Sequence, residues 1–120
     1  MKTLKVALAK PASYSRLTEE KKKQICNGMG AANSMLSPLI PNTMYGLDVE
    51  EAGNIHDYMY NIGVDDRDRQ LADETFLVNM LRIINNKGGW LAPLRRKRAY
   101  MYYDAVVAFG RDAFYAGKVQ

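Results

Sequence analysis

The chain has 120 residues, 48% of them hydrophobic and 25% charged, with a formal net charge of +4. That length supports one domain with a modest core, and that balance excludes wholesale disorder. The excess of base, with a pI near 9.2, favours anionic partners: a phospholipid membrane surface, nucleic acid or phosphorylated metabolites.

The single cysteine, Cys26, excludes an internal disulfide, so packing or a metal must supply the stability. The opening stretch "MKTLKVALAKP" has an apolar run too short for a signal peptide, and no longer run predicts a membrane span. A reducing, cytoplasmic compartment is the expectation, with a phage particle or release from a host cell as the alternatives.

In chain order, residues 1–15 read as a flexible arm and residues 16–120 as a single helical domain. A short helix is expected from Leu17 to about Ile25, with Thr18 as its N-cap ahead of Glu19 and Glu20. "CNGMGAANSMLSPLIPNT", Cys26 to Thr43, is dense in Gly, Pro, Asn and Ser. It reads as a long loop of the kind that carries function.

The next helix should begin near Leu47 or Asp48 and run to about Ile62, with Val49, Ala52, His56, Met59 and Tyr60 on one side. Gly63 in "GVDD" suits its C-terminus. A second helix follows from about Asp66 or Arg67 to Asn85. Its stripe is Asp73, Phe76, Leu77, Met80, Leu81 and Ile84, which begins with an aspartate. "NNKGG" ends it, and a third helix runs from about Pro93 to Phe109 with a basic front, Arg95 to Arg98. No β-rich alternation or repeat is present. The expected fold is all-α, with two central antiparallel helices, a third C-terminal helix and a Gly-rich loop.

The only histidine, His56, sits in "NIHDYMY". If the chain folds back around residues 64 and 65, His56 and Asp73 lie equally far from the turn. Both helices rise about 1.5 Å per residue, so the two side chains come level on facing stripes. An aspartate on an apolar stripe needs a donor, and the imidazole can supply one. The carboxylate then fixes the tautomer and leaves the other ring nitrogen as a base. Tyr60, one turn after His56, points the same way and can donate to Asp73. No serine or cysteine stands where it would complete a triad, so the nucleophile of an enzyme built on this pair is water. Asp57 points about 100° around the helix and is suited to a hard cation, with the glycines of "CNGMG" able to turn carbonyls inward. The plainer account of the same residues is a core histidine satisfied by its neighbours. The basic runs and "YMYY" read most simply as helix faces. Trp90 is left between a lipid-interface anchor and a core cap.

His56, Asp57 and Tyr60 in "HDYMY", with Asp73 in "LADETF", resemble the motif of the phospholipase A2 superfamily. The "ADxxF" context is most similar to the compact, disulfide-free parvovirus capsid type. The resemblance covers roughly residues 26–80. It implies catalysis by His56, Asp73 and Tyr60, and a calcium ion held by Asp57 with the carbonyls of Gly28, Gly30 and Cys26. The activity it implies is hydrolysis of a phospholipid sn-2 ester by His56-activated water. Two departures stand out. Gly53 and Asn54 replace the usual flanking cysteines, and "YGLD" at Tyr45 to Asp48 is a rival loop element. The alternatives are a non-catalytic module that binds phosphate, membrane or nucleic acid on the same scaffold, or a structural protein.

Overall fold

A computed structural model describes residues 6–25, 43–116 and 118. Among them, six helices and a two-stranded antiparallel sheet follow in order: α1 Ala12–Ser15, α2 Glu19–Ile25, β1 Thr43–Met44, β2 Leu47–Asp48, α3 Glu50–Ile62, α4 Asp66–Lys87, α5 Ala92–Phe109 and α6 Arg111–Tyr115. The fold is mostly helical. A radius of gyration of 14.0 Å is that of one compact domain of this length, about 14 Å.

The helix ends follow local chemistry. Thr18 Oγ1 accepts from the Lys21 N–H at 3.1 Å, so α2 starts where a threonine cap predicts. Asp48 Oδ1 accepts from the Glu50 N–H at 2.8 Å, which opens α3. Asp65 and Asp68 form a reciprocal capping box at the head of α4. α4 runs two residues past its expected end. Asn86 and Lys87 stay helical until Gly88 and Gly89 take φ of 63° and 86°, the left-handed region that glycine tolerates.

α4 lies between α5 on one side and α3 on the other, and α6 folds back onto α3 and α5. The main core joins Met44, Val49 and Ala52 to Phe76, Met80 and Ile84 of α4 and to Ala99, Tyr102 and Val106 of α5. Burying these apolar side chains is the main favourable term holding the three long helices together. Two smaller clusters flank it: Tyr14 with Ile55 and Tyr58, and Tyr60 with Ala72 and Phe114.

Four findings correct the sequence reading. First, the segment taken as a loose arm is docked over residues 6–15. Tyr14 is buried in α1 and meets Tyr58 edge-on at 5.4 Å, while the Tyr58 hydroxyl donates to Ser13 Oγ at 2.6 Å. Asn79 holds the same segment from α4, accepting from the Ala9 N–H at 2.7 Å and donating to the Ala9 carbonyl at 2.8 Å. Second, the Tyr45 to Asp48 stretch, expected as a loop, belongs to a β-hairpin of β1 and β2. Tyr45 and Gly46 turn at φ of 51° and 82°, the signs of a type I′ turn. Third, Gly63 does cap the C-terminus of α3 as expected, but with extended backbone, φ −68°, and not in the left-handed region. The site needs glycine because a Cβ would lie 2.6 Å from the Phe114 ring. Fourth, the basic run Arg95 to Arg98 is not one solvated face, because Arg95 is buried beneath the hairpin.

Candidate functional site

α3 and α4 bring the predicted pair together. His56 Nε2 and Asp73 Oδ1 stand 2.8 Å apart, and the Tyr60 hydroxyl donates to the same Oδ1 at 2.6 Å. Both His56 and Asp73 are 1% exposed, so a carboxylate that in water would be solvated has these two donors instead. An ionised carboxylate only accepts. With Asp73 ionised, the bridging proton belongs to Nε2, and a neutral imidazole then carries its lone pair on Nδ1. Among the described residues Nδ1 has no hydrogen-bond partner.

The ring packs against two aromatic neighbours. Tyr60 lies against it with centroids 4.1 Å apart, and Phe76 from α4 approaches at 4.9 Å. Tyr60 is in turn packed edge-on by Phe114 of α6 at 5.2 Å, and Lys118 donates to its backbone carbonyl. Burial first, and then the Asp73 carboxylate, pushes the Tyr60 phenol well above its ordinary pKa. It stays a protonated donor at neutral pH.

Three contributors were missed from sequence. Arg69, one turn before Asp73, reaches over the carboxylate with its terminal nitrogen 4.0 Å from Asp73 Oδ2. Its Nε is buried without a hydrogen bond, 3.6 Å from Asp66 Oδ1, a separation too long to count as one. The i, i+4 spacing from Arg69 to Asp73 was the available signal. Phe114 and Gly110 had none, because the chain after Phe109 was given no element. Gly110 is a contact of the site: a Cβ there would collide with the Tyr60 hydroxyl.

Asp57 is separate from this network. It is half-buried and, among the described residues, forms no hydrogen bond or ion pair. Burial pushes its carboxyl from 3.8 up to about 7. A desolvated, unpartnered carboxylate is a donor suited to a hard cation. Gly28, Gly30 and Cys26, the other three expected ligands, lie outside the described residues. Among the described ones no group of three His, Cys, Asp or Glu is placed to hold a metal ion. At the rival "YGLD" segment, the Tyr45 carbonyl and that of Met44 before it accept from the Arg95 guanidinium at 2.6 and 3.1 Å. No described helix is long and apolar enough to cross a membrane. Trp90 is 85% exposed, so it does not cap the core.

The chain matches no protein-family model, no curated protein and no solved structure.

Proposed function

We propose that this chain is a phospholipase A2-like esterase in which His56 activates water against an acyl ester of a phospholipid. One observation carries the reading: a buried imidazole whose Nε2 is committed to Asp73 at 2.8 Å, with Tyr60 on the same oxygen at 2.6 Å. The antiparallel helices α3 and α4 that carry the pair match the helix pair of the resemblance, and that supports the reading.

In that chemistry Nδ1 of His56 takes a proton as a water oxygen attacks the ester carbonyl carbon. Asp73 stabilises the imidazolium that forms, and Tyr60 keeps the carboxylate from turning away. The imidazolium then returns its proton to the departing glycerol oxygen. The C–O bond breaks and a fatty acid and a lysophospholipid leave. Asp57, with the carbonyls of Gly28, Gly30 and Cys26, would hold the calcium ion. A bound calcium would supply positive charge to the ester oxygen and the lipid phosphate. Since the His56 ring is 1% exposed, turnover requires the covering chain to admit ester and water.

The test is fatty-acid release from mixed phosphatidylcholine and phosphatidylglycerol vesicles in millimolar calcium. Release is expected from the wild type and lost in a folded His56→Gln variant or with chelator. No release from the wild type, or release that survives His56→Gln, refutes the proposal.

The near-complete closure of the ring favours one competing reading. In it, His56, Asp73 and Tyr60 form only a polar network that fixes the packing of α3 on α4. That reading predicts a large loss of stability for His56→Gln and no hydrolysis under any condition.

A further inference from the structure

A second concentration of unused chemistry lies where α5 meets the β1–β2 turn, and it shares no residue with the His56 pair. A cavity of about 260 Å³ opens there, lined by Thr43, Met44, Tyr45, Arg98 and Tyr102. Arg98 Nε donates to the Tyr45 hydroxyl at 3.2 Å, and its guanidinium carbon stands 5.4 Å above the Tyr45 ring. That arrangement aims a planar cation along an aromatic wall and leaves its other nitrogens for a guest.

The backbone beneath is strained and pinned. Tyr45 holds φ of 51°, a conformation costing a non-glycine residue about 1 kcal/mol or more. Arg95 fixes it from below by donating to the carbonyls of Met44 and Tyr45. Strain that the surroundings over-determine clusters at ligand sites.

Charge points the same way. Arg69 and Arg111 each lie beside Asp66, and Arg96 bonds Asn85. Among the described residues neither Arg95 nor Arg98 meets a carboxylate. Arg95 is buried with only carbonyl acceptors, and Arg98 follows one turn later on α5. Two neighbouring guanidinium charges with no counter-charge among the described residues form half of an ion pair.

We propose that this cavity binds a phosphate group, carried by a small phosphomonoester or by a lipid headgroup, with Arg98 as its direct ligand. A tetrahedral phosphate presents three or more acceptor oxygens, matching the guanidinium fork together with the hydroxyls of Thr43, Tyr45 and Tyr102. A carboxylate has only two, in one plane. Burial raises the Tyr102 phenol above its ordinary pKa, so it remains a donor. The cavity falls just under the roughly 300–1,000 Å³ of drug-sized sites, which limits the guest to a small ester or a headgroup.

The experiment is calorimetric titration of the full chain with phenyl phosphate at low salt. Beside it runs co-sedimentation with phosphatidylcholine vesicles carrying a minority of phosphatidic acid. Arg98→Gln should weaken binding about tenfold or more. Lys97→Gln removes the same charge from the same helix and should change it about twofold or less. Arg98-dependent binding of phenyl phosphate assigns a soluble ester. Arg98-dependent binding of the acidic vesicles alone assigns the headgroup. Equal weakening by Arg98→Gln and Lys97→Gln, or no Arg98-dependent binding in either arm, overturns the proposal. Unchanged melting of Arg98→Gln confirms that the exposed side chain was removed without unfolding.

Discussion

Removing the carboxylate of Asp73 is the sharpest test of how α3 and α4 are joined. Asp73 is 1% exposed and accepts from His56 at 2.8 Å and from Tyr60 at 2.6 Å. In Asp73→Ala both donors lose their acceptor at a buried site. Each stranded donor costs about 1–3 kcal/mol, or about 2–6 kcal/mol for the two, a range centred on the usual loss of about 3–5 kcal/mol when a buried pair is broken. Arg69 adds little, since it is partly solvated and 4.0 Å away. Against a domain stability of about 5–15 kcal/mol, this is a large fraction. For a urea slope of about 2 kcal/mol/M, the midpoint should fall by about 2 M with the slope unchanged. Asp73→Asn retains one acceptor oxygen for both donors and should lose only about 1–2 kcal/mol. A double-mutant cycle with Tyr60→Phe should return a coupling of about 1 kcal/mol or more. If Asp73→Ala costs less than about 1 kcal/mol, the pair does not hold the two helices and the reasoning fails.

Three further outcomes follow from the same contacts. Gly110→Ala places a methyl group against the Tyr60 hydroxyl. It should cost about 1–3 kcal/mol by overpacking and weaken the Tyr60–Asp73 coupling in the same cycle, while Gly46→Ala should leave that coupling untouched. For pH, the Asp57 carboxyl is raised from 3.8 to about 7, so the folded state holds a proton that the unfolded chain releases. The stability of the wild type relative to Asp57→Asn should therefore be highest near pH 4 and fall as pH rises to about 7. It should then level off about 1–3 kcal/mol lower, after discounting for partial solvation; a flat difference in urea melts across that window removes Asp57 from the buried set. Calcium should cancel this penalty. At 10 mM over a site of about 1 mM affinity it contributes about 1.4 kcal/mol, or about 5 °C in the melting midpoint, and Asp57→Ala should abolish the rise.

The helical periods were legible because the apolar positions of α3 and α4 recur every three to four residues, and because threonine, aspartate and glycine mark the helix ends. The level pairing of His56 with Asp73 was legible for a simpler reason. A short turn between two helices of equal rise makes register a matter of counting. The strand pair escaped notice since Thr43–Met44 and Leu47–Asp48 are too short to show alternation. Their existence rests on the turn at Tyr45 and Gly46 and on Arg95 beneath it. Tyr14 escaped for want of any periodic partner. Its burial is decided by Tyr58, Ser13 and the Asn79 clamp on Ala9, contacts between residues 45 to 70 positions apart.

What the sequence determined alone is therefore the local content: where helices start and stop, which face each one hides, and that one aspartate on a hidden face required a donor. Those features depend on neighbours within a turn or two of chain. Only the tertiary structure decided that Phe114 and Gly110 brace Tyr60, that Arg69 leans on Asp73, and that Arg95 and Arg98 meet the hairpin at Tyr45. Each of these contacts joins separate elements, and no spacing rule reaches across the chain far enough to require it.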